Sequence, residues 1–194
     1  RVIIVGLGES AKFDLEGVRE ASGAAMKQAR AVGAANVATI VHGGGIGGLA
    51  VAEAAQAVVE GSLLALYRYD ALRTKKKEDE PPVQVDSLTV VEFDAAKIEQ
   101  LETGARAGQA LAAGVYQART LVNQPSNHAT PSAIAAAAAA MCQEVGLRCE
   151  VLEEAQMREQ QMGALLAVTQ GASQPAKFII MEHKPAAANA GSGP

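Results

Sequence analysis

Ala118-Arg119-Thr120-Leu121-Val122-Asn123-Gln124-Pro125-Ser126-Asn127-His128-Ala129-Thr130-Pro131 decides how this chain divides. Arg119 to Val122 close a long amphipathic run. Asn123, Pro125, Ser126 and Asn127 are turn formers, each able to satisfy or remove a backbone donor. Thr130 then offers its hydroxyl as an N-cap, and Pro131 stands at the first helical position, where a missing N–H costs nothing. One helix ends here and another begins.

Upstream of this elbow the pattern alternates strands and helices. Val2 to Val5 is a short β-branched run and predicts a strand buried on both faces, ended by Gly6-Leu7-Gly8. Asp14 caps a helix with Leu15, Val18, Ala25, Ala29 and Val32 at helical spacing, and Gly33 stops it. Val37 to Val41 predicts a second buried strand, followed by the glycine run Gly43–Gly48. A second helix carries Leu49, Ala52, Val59, Leu63 and Leu66 inward, and Leu88 to Phe93 forms the next strand. This order predicts an α/β fold with a parallel sheet. Asp94 caps a helix over 95–122 with Ile98, Leu101, Ala105, Leu111, Val115 and Val122 inward. At 1.5 Å per residue it spans about 40 Å, long enough to connect two domains. Gly104, Gly108 and Gly114 would weaken it in isolation, so it must lie against neighbours.

Downstream, Pro131 to Val145 predicts a helix ended by Gly146, with Ile134, Ala138, Met141 and Val145 inward. Arg148 to Leu152 is a strand, Glu153 to Gln161 a short helix and Phe178 to Met181 another strand. These open a second, incomplete α/β domain. The expected division is a domain over 1–94, a linking helix over 95–122 and the beginning of a second domain over 123–194. Both ends read as cut: Arg1 leads straight into a strand pattern, and Lys184 to Pro194 has a linker composition.

Composition excludes several classes. The 194 residues are 49% hydrophobic but only 3% aromatic, with no Trp, so the core is built from Ala, Val, Leu and Ile. A net charge of −4 disfavours a broad nucleic-acid-binding face. No apolar run is long enough to span a bilayer, and no signal-peptide pattern is present. Cys142 and Cys149 form no disulfide framework and read as small buried hydrophobes in a reducing cytoplasm. The segment Arg73–Pro82 places Lys75, Lys76 and Lys77 beside Glu78, Asp79 and Glu80, a solvated excursion between the second helix and third strand.

Three collinear stretches resemble the M17 family of leucyl aminopeptidases. Arg119-Thr120-Leu121-Val122-Asn123-Gln124-Pro125-Ser126-Asn127, followed by Thr130-Pro131, is similar to the segment joining that family's two domains. Glu60-Gly61-Ser62-Leu63-Leu64-Ala65-Leu66-Tyr67-Arg68-Tyr69-Asp70 resembles a helix end in its N-terminal domain. Met162-Gly163-Ala164-Leu165-Leu166-Ala167-Val168-Thr169-Gln170-Gly171 resembles the opening of its catalytic domain. The resemblance implies a macro-like, Rossmann-like N-terminal domain, a linking helix and the start of a peptidase domain. It further implies a cytoplasmic hexamer that releases N-terminal residues, Leu among them, from peptides with two divalent ions, Zn or Mn. Some relatives bind DNA, which leaves Lys75–Lys77 as a phosphate contact opposed by the acids that follow.

The residues themselves carry little chemistry. Family metal ligands lie in a Lys-Gly-x-Thr-Phe-Asp segment and an Asn-Thr-Asp-Ala-Glu-Gly-Arg segment, and neither occurs in this sequence. No catalytic, cofactor-binding or metal-binding residue is therefore assigned, and the chain alone is expected to be inactive scaffold and oligomerisation region. Gly6-Leu7-Gly8-Glu9-Ser10-Ala11 has the form of a dinucleotide fingerprint, but the second strand ends in Ile40-Val41-His42-Gly43 without the acid that a ribose requires. The alternative function is a nucleotide- or ADP-ribose-binding module using Gly43–Gly48, whose spacing before a helix suits an anion. His42, His128 and His183 are far apart, and His183 beside Glu182 reads as a capped surface histidine rather than a ligand.

Overall fold

The computed structural model describes residues 1–44, 47–74 and 84–184. They fall into two units, Arg1–Thr120 and Leu121–Pro194.

In the first unit Asp14 accepts a hydrogen bond from the Gly17 N–H and starts α1 (Leu15–Ala31), and Gly33 follows its end with positive φ. Strand β1 (Asn36–Ile40) leads through the glycine run into α2 (Val51–Leu66), and β2 (Ser87–Val91) pairs with β1 in parallel, Asn36 opposite Ser87 and Ile40 opposite Val91. Asp94 accepts from the Ala96 N–H at a 3-10 turn, and α3 (Ile98–Asn123) follows. The parallel α/β pattern is the one expected, and α2 as crossover supplies the length that a parallel connection needs.

The burial of these elements departs from the sequence pattern. Helix α2 does not bury a single stripe: Ala54, Ala55 and every residue from Ala57 to Ser62 are inside. It lies between α1 and α3 and contacts both through backbone. A Cβ on Gly61 would stand 2.3 Å from the Arg19 carbonyl oxygen, and one on Gly104 would stand 2.0 Å from that of Ala52. Contacts pair Arg19 with Gly61 and Gly23 with Ala65, then Ala52 with Gly104 and Gln56 with Gly108. Each series advances in the same sense along both helices, so the three helices run parallel.

The buried face of α3 is accordingly Leu101, Gly104, Gly108 and Ala112. Leu111 and Val122, expected inside, are 53% and 84% exposed, and Ile98 is also exposed. Close backbone approach selects the small-residue face over the large-residue one. Strands β1 and β2 are half-buried on one face and exposed on the other, with Ile40 and Val91 outward, because the helices cover the side that carries Val90.

The run Val2–Val5 forms no strand. Val2 and Ile4 are 88% and 90% exposed. A cavity of about 360 Å³ is lined by Arg1, Val2, Ile3 and Val5 together with the consecutive residues Asn36 to Thr39 of β1. Consecutive lining residues mark a strand edge, and ladder bonds require neighbouring strands about 4.8 Å apart. The intervening space removes that partner.

In the second unit Thr130 accepts from the Ala133 N–H and Pro131 opens α4 (Pro131–Val145), as expected. Its buried positions are Ala135 and Cys142, whereas Val145 is exposed. Strand β3 (Arg148–Leu152) pairs antiparallel with β4 (Phe178–Glu182). Between them lie α5 (Glu154–Glu159), opened by a capping box, and α6 (Gly163–Thr169). Leu152, Met157, Leu166 and Ala176 form the core here. The segment Arg73–Pro82 and the tail from Lys184 lie mostly outside the described residues.

Gly104→Ala is expected to lower stability by about 1–3 kcal/mol, because its methyl group overlaps the Ala52 carbonyl. Gly114 has open space around its Cβ position, so Gly114→Ala should raise stability by roughly 0.5–1 kcal/mol. Urea midpoints of the two variants should therefore move in opposite directions.

Candidate functional site

A cavity of the first unit lies beside β1. Its polar lining includes Ser22 from α1, Ser62 from α2 and His42 after β1. Both serines are buried, and Ser22 Oγ has no hydrogen-bond partner among the described residues. Burial pushes the His42 imidazole below its ordinary value, since charging it there forfeits hydration. Among the described residues no carboxylate lines the cavity, so none there orients His42 as a general base toward either hydroxyl. The arrangement offers two hydroxyls and a neutral imidazole among apolar side chains, without an acid–base pair.

The glycine run beside it is shaped by packing. Gly43 has φ +78°, and a Cβ there would come within 2.8 Å of both Leu49 and Phe13. A Cβ on Gly47 would stand 2.5 Å from Gly43 Cα. The Leu49 N–H donates to the Gly43 carbonyl at 3.1 Å, folding the loop on itself. Gly45 and Ile46 lie outside the described residues. At the other fingerprint, α1 begins at Leu15, well past Gly8, so its first N–H groups belong to the Asp14 cap.

Two of the three stretches noted in the sequence meet at the C-terminal end of α2. Tyr67 and Tyr116 rings lie 5.0 Å apart at an interplanar angle of 59°. The Arg119 guanidinium sits 5.6 Å from the Tyr67 ring centre and donates to the Leu64 carbonyl at 3.2 Å. Tyr67 and Thr120 hydroxyls are 3.2 Å apart, and the Tyr116 hydroxyl donates to the Leu63 carbonyl. These bonds satisfy the last carbonyls of α2, which a helix end otherwise leaves open. Tyr116 escaped the sequence reading; its spacing of three residues from Arg119 was the available signal. Glu60, from the same stretch, is 6% exposed and held by Arg19 at 2.6 Å and Gln56 at 2.7 Å.

In the second unit the elbow is closed by the His128 and Ala129 N–H groups, both donating to the Pro125 carbonyl. The third stretch forms α6, whose Leu166 enters the local core. His128 and His183 are exposed, and neither lines the cavity that contains His42. Among the described residues no group of three or more His, Cys, Asp or Glu side chains converges on one point. No helix of the described residues is long and apolar enough to cross a membrane. The Lys75–Lys77 run lies outside the described residues.

Comparison with known proteins places these features in a family. Two family models match the chain in order: the N-terminal domain of the cytosol aminopeptidase family over residues 1–76 and its catalytic domain over residues 116–192. A probable cytosol aminopeptidase of Syntrophotalea carbinolica is 37% identical over 186 residues, covering 95% of this chain and 37% of the relative. One from Bacillus subtilis is 32% identical, with 95% and 36% covered. The chain thus spans little more than a third of the length of its curated relatives. Among solved structures, the bottromycin maturation enzyme BotP in complex with Mn superposes with a TM-score of 0.78 at 28% identity, over 93% of this chain and 36% of that one. A tomato leucine aminopeptidase mutant shares the fold, with a TM-score of 0.72 at 24% identity, over 85% and 32% of the two chains.

The lowered His42 pKa makes stability depend on pH. The unfolded chain takes up a proton near pH 6.5, whereas the folded one resists protonation until lower pH. This contribution is full above about pH 6.5 and is lost as pH falls through the folded value. Urea midpoints measured from about pH 7.5 down to about pH 5 should decline, and His42→Gln should flatten that decline.

Proposed function

This chain belongs to the cytosol aminopeptidase family, and from that membership we propose that it is the N-terminal domain, linking helix and catalytic-domain opening of a metallo-aminopeptidase. The divisions proposed are 1–94, 95–122 and 123–194. The observation that carries this reading is collinearity: both domain models of one family match a single chain, in the family's order. The whole protein would release N-terminal residues, Leu among them, from peptides, as a cytoplasmic hexamer with two Zn or Mn ions. The Mn complex of the similar BotP structure supports a divalent metal.

The described residues do not fit a two-metal cage, because no carboxylate-rich group converges among them. Their part in the proposed enzyme is support and assembly. The first unit presents exposed apolar side chains at Val2, Ile4 and Phe93, and the second at Val168, surfaces suited to burial in a larger protein. No observation favours the nucleotide-binding alternative at Gly43–Gly48; at Gly43 and Gly47 the positions a Cβ would take are crowded by Leu49, Phe13 and the loop's own backbone.

The test is enzymatic. With Mn²⁺ and leucine p-nitroanilide this chain should show no turnover above background. The same chain continued by the remaining catalytic domain of a cytosol aminopeptidase should turn the substrate over. Turnover by the short chain, or none by the extended and folded one, would refute the proposal.

A further inference from the structure

Cys142 and Cys149 are seven positions apart, at the end of α4 and the start of β3, two elements that pack together. Cys142 lies in the last turn of α4 and is 1% exposed. Gly146 takes φ +74°, and the N–H groups of Gly146 and Leu147 both donate to the Cys142 carbonyl, the latter at 2.8 Å. This left-handed cap turns the chain back toward the helix it has just left. Strand β3 begins two residues after Gly146, and it packs against α4. Along β3, Arg148 and Glu150 point outward, while Cys149 and Val151 take the half-buried face. After burial itself, Cys149 is the neighbouring group that raises the Cys142 thiol above its ordinary value, and neither cysteine is in a disulfide.

We propose that Cys142 and Cys149 are a thiol-oxidation site at which a reversible disulfide joins the end of α4 to β3. The oxidant is a peroxide. The half-buried Cys149 sulfur attacks the O–O bond of hydrogen peroxide, becomes a sulfenic acid and releases one water. The Cys142 sulfur then attacks the Cys149 sulfur, the S–O bond breaks, and the hydroxyl leaves as a second water with the Cys142 proton. Two thiols and one peroxide give one disulfide and two waters. A dithiol reductant returns both electrons and both protons. Burial raises the Cys142 thiol above its ordinary value, which keeps it protonated and assigns the first step to Cys149.

Trypsin provides the readout, because Arg119, Arg148 and Arg158 bound the two cysteine peptides. The folded chain is treated with a small molar excess of hydrogen peroxide, alkylated with iodoacetamide and digested without reductant. The expected product is peptide 120–148 linked to peptide 149–158, with the intact mass lower by two hydrogens and the helical circular dichroism retained. Dithiothreitol should restore both thiols. In Cys149→Ser, Cys142 should oxidise at least tenfold more slowly than the pair does in the parent chain. Separate recovery of both peptides alkylated, links only between molecules, linkage that forms only in urea, or undiminished Cys142 oxidation in Cys149→Ser would each overturn the proposal.

Discussion

The first unit depends on backbone-to-backbone contact along α2. Gly61 brings α2 against the Arg19 carbonyl of α1, and Gly104 of α3 comes against the Ala52 carbonyl from another side. Side chains at either point would hold the helices apart by the thickness of a methyl group. Close approach gives Val18, Ala57 and Val58 full burial despite their modest size. That matters in a chain with only 3% aromatic residues, which must gain its dispersion energy from many short contacts. The charge of Glu60 is tolerated beside this contact because Arg19 and Gln56 both bind its carboxylate.

From that constraint follows the geometry of the helix ends. Once Gly104 and Gly108 set α3 parallel to α2, Tyr116, Arg119 and Thr120 fall beside Leu63, Leu64 and Tyr67. Three side chains of one helix thus engage the open carbonyls and the terminal tyrosine of the other. The polar residues leading into the elbow are in this way explained partly by packing chemistry. Arg119 stacks and donates at once, which a lysine could not reproduce. The same helical frame helps to line the cavity shared by Ser22, His42 and Ser62, and among the described residues it supplies no acid to it.

The second unit is held differently. Its core is a small cluster of Leu152, Met157, Leu166 and Ala176, and its strand pair is tied at the surface by Arg148 to Glu182 and by Lys177 to Glu153. Exposed ion pairs of this kind contribute about 1 kcal/mol or less. Caps carry more of the local order: Thr130 opens α4, Gly146 closes it, and the Glu153–Gln156 box starts α5. Family membership gives this unit its meaning, since it matches the catalytic domain of proteins far longer than this chain.

What the sequence alone determined was local. Asp14, Asp94, Thr130, Pro131 and Gly146 act on backbone groups within a few residues, so the helix boundaries they set are legible in the sequence itself. The parallel order of strand, helix and strand was legible for the same reason, as was the family resemblance in three short stretches. Tertiary structure alone decided which faces are buried. Helical spacing marked Leu111 and Val122 as inward, but backbone approach at Gly104 and Gly108 turned the small-residue face inside instead. The β-branched run Val2–Val5 has strand propensity, yet a ladder needs an adjacent edge, and the cavity beside β1 withholds it. Propensity belongs to a residue and its near neighbours, whereas burial and pairing belong to whatever segment arrives from elsewhere in the chain.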